Sequence, residues 1–332
     1  MAIHSGRREF IVTLIGTAVA WPQVALTQQP AGRVWRIGLL SAVSRSMYSS
    51  LYAGFQQGMH ELGYIEGKDF VTEWRSAEGW YERFPELASE LVRLKVDVIV
   101  VAVNSAIHPL QQATNTIPIV LAYAIDPVGN GFVTSFARPG GNTTGLAGSS
   151  DDTAPKQLEL LAAILPSASR IGLLGNPGAP IYSSVLKRAT NAAQNAGLSL
   201  VPMEAGNPQQ IEDAFTAFAN EPVQAVMVAS DAVFFGQRQR LAELALAHRL
   251  PSMFTQREYT DAGGLMSYGE NLSEFFRRAA IFVDKIFKGA KPGDLPIEQP
   301  TKFHLVINRK TADALGVTIP PQLYIFADEV IE

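Results

Sequence analysis

The 332-residue chain has no cysteine. That excludes disulfides, thiolate metal sites, a cysteine nucleophile and a lipid-anchored N-terminal cysteine. Histidine is sparse: His4, His60, His108, His248 and His304 are scattered, with no pair at a spacing such as H-x-x-x-H. Metal catalysis therefore lacks ligands, and no cofactor is expected. Charged residues make up only 17%, and 27 basic against 31 acidic side chains leave a net charge of −4 with no basic stripe. Nucleic acid is accordingly a poor fit as a partner. The enzyme signatures G-x-S-x-G, G-x-x-x-x-G-K-[ST] and G-x-G-x-x-G are missing. Gly175-Asn176-Pro177-Gly178 only echoes a phosphate loop, because its spacing is wrong and Pro177 removes a donor. Asp151-Asp152 falls outside the loops where chemistry is expected.

What is present begins with a leader. Gly6-Arg7-Arg8-Glu9-Phe10 precedes an apolar run from Ile11 to Ala20, and small residues follow near Ala25. This is the layout of an export signal over residues 1–27, with cleavage expected after Thr27 and Ala20 as the alternative. Arg7-Arg8 with Phe10 resembles a twin-arginine signal; an ordinary Sec signal carrying two arginines is the other reading. The run is too short for a permanent membrane span, which needs about 20 residues. A soluble protein outside the cytoplasm is expected.

An exact repeat organises the rest. Arg36-Ile37-Gly38-Leu39-Leu40 returns as Arg170-Ile171-Gly172-Leu173-Leu174. After the first copy come the apolar run Asp97–Val103 and a Pro-led strand Pro118–Tyr123. After the second come Ala225–Ser230 and Pro251–Thr255. A period of roughly 130 residues is far longer than a solenoid repeat, so the pattern predicts a duplicated α/β domain. Unbroken apolar strands alternating with amphipathic helices predict two doubly wound parallel-sheet lobes joined by a multi-strand hinge. The first lobe is placed at 34–146, completed by about 271–295, and the second at 147–268, completed by about 300–332. Predicted helices include His108–Thr114, Pro155–Leu165, Gly236–His248 and Leu272–Lys288, the last packing on the first lobe. A single short helix is expected to end the chain.

In open parallel sheets, ligands bind beyond the carboxyl ends of the strands. That rule selects the loops 41–50, 104–107, 124–130, 176–184 and 231–236 around a shared cleft. Ser41, Ser49, Asn104, Ser105, Asn176 and Ser183 supply its hydroxyls and amides. Ser49 and Ser183 stand at helix starts, where a carboxylate could bind or where the serines could simply cap their own helices. Asp126 and Asp231 each follow a buried strand and could meet a ligand ammonium, although Asp126-Pro127 is equally a turn starter. Tyr123, Phe234 and Tyr268 could stack on a planar ligand, or belong to the core. Arg257 beside Tyr259 could reach a carboxylate or remain a surface residue.

With those residues in view, the chain resembles the ABC-transporter substrate-binding proteins related to bacterial tryptophan/tyrosine uptake systems. The resemblance covers about residues 35–332. Gly54-Phe55 and Glu61-Leu62-Gly63-Tyr64-Ile65-Glu66-Gly67 carry it, with Asp126-Pro127-Val128-Gly129 and Ala137-Arg138-Pro139-Gly140-Gly141-Asn142. Ala262–Gly269 and Gln299-Pro300-Thr301-Lys302-Phe303 complete the pattern. The resemblance implies the type I periplasmic-binding-protein fold and a monomeric periplasmic receptor that closes on a small-molecule solute. It would hand that solute to an inner-membrane permease with its cytoplasmic ATPase. The expected solute is an amino acid or a small carboxylate, aromatic ones included. Val103-Asn104-Ser105-Ala106 departs from the family pattern, so the relatives' ligand preference is not carried over. The rival readings are a sensory module feeding a receptor kinase and a periplasmic enzyme using Asp126 or Asp231 as base.

Overall fold

A computed structural model describes Met1 and residues 33–148, 153–179 and 182–332. The expected export segment and the Asp151-Asp152 pair lie outside the described residues. The described strands form two sheets. The first contains β1 (Trp35–Ser41), β2 (Phe70–Ser76), β3 (Val98–Val101), β4 (Ile119–Ile125) and β5 (Thr143–Gly148). These run in the order β2-β1-β3-β4-β5, parallel throughout. Every residue of β3, β4 and β5 is buried, which is why β3 and β4 read as apolar runs without alternation. Helices α1 (Ser49–Glu61), α2 (Phe84–Arg93) and α3 (Asn104–Ala113) make the crossovers. Right-handed connections put α1 on one face and α2 and α3 on the other.

The second copy repeats this order. After α4 (Ala154–Ile164) come β6 (Arg170–Gly175), α5 (Tyr182–Asn195), β7 (Ser199–Glu204), α6 (Pro208–Asn220) and β8 (Ala225–Val228). Then follow α7 (Ala232–Gly236), α8 (Arg238–Ala247), β9 (Ser252–Phe254), α9 (Arg257–Asp261) and β10 (Met266–Glu270). The order β7-β6-β8-β9-β10 mirrors the first sheet, and β11 (Phe303–Asn308) and β12 (Glu329–Ile331) extend it beyond β10. Only the β10–β11 pairing is antiparallel among the described strands. The repeated glycine has one job in both copies. A Cβ on Gly38 would lie 3.2 Å from Leu91 of α2, and one on Gly172 would lie 2.7 Å from the Phe218 ring of α6. Each glycine lets the second helix of its copy settle against this strand.

The chain passes between the lobes three times. The first pass follows β5. The second follows β10, where α10 (Leu272–Phe287) leaves the second sheet and packs on α1. That crossing is close because Gly54 and Gly58 face the Ser273 and Arg277 carbonyls, and a Cβ at either glycine would clash with them. Trp35 stacks on Phe287 at 4.1 Å, and the Tyr64 hydroxyl donates to Asp284 at 3.0 Å, anchoring the far end of α10. Residues 295–298 then run beside β5, with the Thr144 hydroxyl donating to the Leu295 carbonyl and Ala147 N–H to that of Glu298. The third pass leads from there to β11.

Some boundaries differ from expectation. Helix α3 starts at Asn104, directly after β3, because Val103 is extended and Pro109 sits inside the helix rather than opening it. A proline near a helix start usually marks the first turn, which places the expected helix too late. Residues 232–247 form two helices broken at Gln237, because Asp231 caps the first of them four residues earlier than predicted. The C-terminal segment forms α11 (Arg309–Leu315), α12 (Pro321–Phe326) and β12 instead of one helix.

Candidate functional site

The carboxyl ends of both parallel sheets converge on one cavity of about 80 Å³ between the lobes. From the first lobe it receives Tyr48, Tyr81, Asn104, Ser105 and Tyr123; from the second, Ser230, Asp231, Phe235 and Gln256. Leu51, Val103, Ile125 and Leu272 supply apolar wall. Few polar groups set in an apolar wall is how small-molecule sites are built.

Asp231 is the sole charged side chain among the described residues lining this cavity. It is the N-cap of α7: Oδ1 accepts from Val233 N–H at 2.8 Å and Phe234 N–H at 3.4 Å. Asn176 Nδ2 donates to the same oxygen at 3.1 Å, while Asn176 Oδ1 accepts from Gly178 N–H. Oδ2 faces the other lobe and accepts from the Tyr81 hydroxyl at 3.0 Å. Burial pushes the Asp231 carboxyl above the ordinary aspartate range, and these donors oppose the shift. The Tyr48 and Tyr81 hydroxyls are driven well above the usual phenol range, first by burial and then by the Asp231 charge.

The opposite wall is the start of α3. Its N-cap residue, Val103, gives no side-chain cap, so backbone N–H groups of the first turn face the cavity end. The Ser105 hydroxyl is buried there without a hydrogen-bond partner, an arrangement that costs free energy unless something accepts from it. Asn104 lines the cavity too, but both amide atoms are occupied. Nδ2 donates to the Ile125 carbonyl at 2.8 Å and Oδ1 accepts from Ile125 N–H at 3.0 Å, clamping the end of β4. Tyr123 presents its ring to the cavity and donates its hydroxyl to buried Glu270 at 3.0 Å. Gln256 donates to the Ser230 hydroxyl at 2.9 Å, which ties two second-lobe loops together.

Of the residues expected from sequence, Asn104, Ser105, Tyr123 and Asp231 meet at this cavity; Asn176 stands behind it, holding Asp231. The others do not line it. Ser41 is buried and donates to the Val43 carbonyl, shaping its own loop. Ser49 and Ser183 are exposed on their helices. Asp126 is exposed with a left-handed φ of 44°, and its carboxylate accepts from Gly129 N–H at 2.9 Å. It is the turn starter. Phe234 is completely buried in the core, and its neighbour Phe235 faces the cavity instead. Tyr268 stacks on Phe303 at 5.7 Å beside the hinge. Arg257 pairs with Asp261 and Glu329 at the surface. Sequence reasoning missed Tyr48, Tyr81, Phe235 and Gln256. Tyr81 and Gln256 follow β2 and β9, to which the strand-end rule applies equally.

No group of His, Cys, Asp or Glu among the described residues could hold a metal ion. None of the described helices is long and apolar enough to cross a membrane.

The curated relative "Tyrosine-binding protein" of Clostridioides difficile (strain R20291) is 22% identical over 282 residues, covering 85% of this chain and 81% of the relative. A conserved domain protein from Vibrio cholerae overlays with a TM-score of 0.83 at 26% identity, over 90% of this chain and all of that one. The ABC domain from Streptococcus pneumonia in complex with L-Trp gives 0.82, also at 26% identity and with the same coverage. The family model described as "ABC transporter substrate binding protein" matches residues 36–331. Two mirrored lobes closing on a cavity built for binding, together with a match over that whole span, place this chain in the family of ABC transporter substrate-binding proteins, which bind their solutes and do not transform them.

Proposed function

We propose that the protein is the receptor of an ABC importer for an α-amino acid, held between the lobes with its ammonium on Asp231 and its carboxylate at Ser105. As a member of its family it binds a small-molecule solute, works with an ABC transporter and is extracytoplasmic. The single observation that carries the ligand class is the charge of the cavity wall: one aspartate and no cation. A simple carboxylate entering such a wall would face an unpaired anion. A zwitterion satisfies both ends, because the α3 N-terminus and the unpartnered Ser105 hydroxyl offer donors to its carboxylate. The aromatic faces of Tyr48, Tyr123 and Phe235 favour a planar side chain. The named ligands of the relatives, tyrosine and L-Trp, are amino acids of that kind. At about 80 Å³ the cavity is tighter than the roughly 150 Å³ that holds a benzene ring. An aromatic ligand therefore displaces side chains of the cavity wall while the Tyr81–Asp231 bond stays closed.

Binding proceeds by population shift: a ligand that touches both lobes stabilises the closed arrangement. Cleavage of the 1–27 leader, a periplasmic location, a monomeric state and hand-over to an inner-membrane permease with its ATPase belong to this reading. Calorimetry with L-tyrosine, L-tryptophan, tyramine and 3-(4-hydroxyphenyl)propionate tests the ligand class. The amino acids should bind best and the propionate, which lacks the ammonium, worst. Preferential binding of the propionate would end the reading.

A further inference from the structure

The inter-lobe cavity has a larger neighbour. A groove of about 290 Å³ lies beside it, also between the lobes, and carries Met47 and the exposed Trp80 from one side and Pro208 and Val233 from the other. The two spaces share a wall one side chain thick. Along the chain, adjacent residues face opposite ways: Met47 and Trp80 line the groove, while Tyr48 and Tyr81 line the cavity. On α7, Val233 and Gly236 face the groove and Ala232 and Phe235 the cavity. Tyr48 meets Phe235 edge-on at 5.7 Å, an apolar contact. A hydrogen bond from Tyr81 to Asp231 Oδ2 crosses this wall.

We propose that Tyr81 is the gate between this groove and the ligand cavity, and that its bond to Asp231 sets how long a bound amino acid stays. The assignment rests on the amino-acid reading above. Three features support it. First, Asp231 is fixed from its own lobe, because Val233, Phe234 and Asn176 all donate to Oδ1, so its position does not depend on the other lobe. Oδ2 is the oxygen that looks across, and its bond to Tyr81 forms only when the lobes meet. Second, Tyr81 is held ready by its own lobe: its ring stacks on buried Phe84 at 5.6 Å. The loop before it is pinned to the end of β1 by bonds from Ala77 N–H to the Ser41 carbonyl and from Gly79 N–H to the Ala42 carbonyl. Third, Glu78 and Gly79 adopt left-handed φ values of 53° and 86°, which turns the chain sharply so that Trp80 and Tyr81 face the two different spaces. A contact made only in the closed form slows departure without speeding arrival.

The test is kinetic. Surface plasmon resonance with L-tyrosine as the test ligand compares the wild type with Tyr81→Phe, which keeps the ring and removes the link. The off-rate should rise about tenfold, the scale of one lost hydrogen bond to a charged group, while the on-rate stays within about twofold. Tyr81→Ala, which also opens the wall sterically, should release faster still. The absence of native cysteine allows a second readout that needs no ligand. Spin labels at Glu86→Cys and Ala219→Cys, exposed positions on the two lobes, report the inter-lobe distance by electron double resonance. Without added amino acid, Tyr81→Phe should shift the distribution towards longer distances. An unchanged off-rate together with an unchanged distribution overturns the gate. Failure of the wild type to bind any amino acid overturns the ligand reading instead, and the distance measurement still judges the gate.

Discussion

Replacing Asp231 by asparagine separates charge from shape at the centre of the cavity. Asparagine caps a helix about as well as aspartate, so its Oδ1 can keep the bonds from Val233, Phe234 and Asn176 that Asp231 now accepts. Its Nδ2 takes the place of Oδ2 and donates to the Tyr81 oxygen. The fold is kept and the charge is lost. For an amino-acid ligand the cost is one hydrogen bond between charged groups, about 1.5–3 kcal/mol, or roughly 10- to 150-fold in Kd. Stability should move the other way. Burial raises the carboxyl above its ordinary value, so the native chain holds that proton more tightly than the unfolded chain does. Native stability is then fullest below the ordinary aspartate range, falls as pH rises towards the raised native value, and stays lowered above it. Asparagine removes this penalty. Without ligand, the variant should melt above the wild type near neutral pH, and the gap should close on acidification. Calorimetric titration with L-tyrosine and melting curves from about pH 4 to about pH 8 measure both effects. An unchanged Kd, or a variant less stable at neutral pH by an amount that ignores pH, would refute the reasoning.

Two further outcomes follow from the same contacts. Ser105→Ala should weaken L-tyrosine binding by about tenfold and leave tyramine, which has no carboxylate, unaffected; equal losses for both would remove Ser105 from the carboxylate subsite. Its melting temperature should not fall, because the hydroxyl has no partner to lose. Gly58→Ala should destabilise the protein by about 1–3 kcal/mol in urea titrations, since the added methyl meets the Arg277 carbonyl. At an ordinary helix position the same change gains up to about 1 kcal/mol, so the sign alone decides whether the α1–α10 contact is as close as described.

Much of this architecture was legible because buried parallel strands must be apolar on both faces, and the repeated Arg-Ile-Gly-Leu-Leu marks the first strand of each copy, next to the sheet edge. The strand-end rule then led to Asn104, Ser105, Tyr123 and Asp231. What could not be read was orientation. Helix α7 begins at Ala232 instead of near Gly236, and each residue of a helix turns about 100°; that is why Phe235, not Phe234, faces the cavity. Ser41 and Asp126 sit in the right loops, but their polar atoms serve local turns, which spacing cannot separate from ligand contacts. Tyr81 lies five residues beyond β2 and reaches Asp231 across 150 positions of sequence. No local pattern encodes a bond of that span.

The welding of α10 onto α1 means that the order of synthesis and the order of completion differ. The N-terminal half emerges first, yet it cannot seal its own surface until residues 272–298 have been made, after nearly all of the other half. Neither half is a module that could be cut out, exchanged or inherited alone. The interlacing makes the two copies one compact unit over residues 34–332.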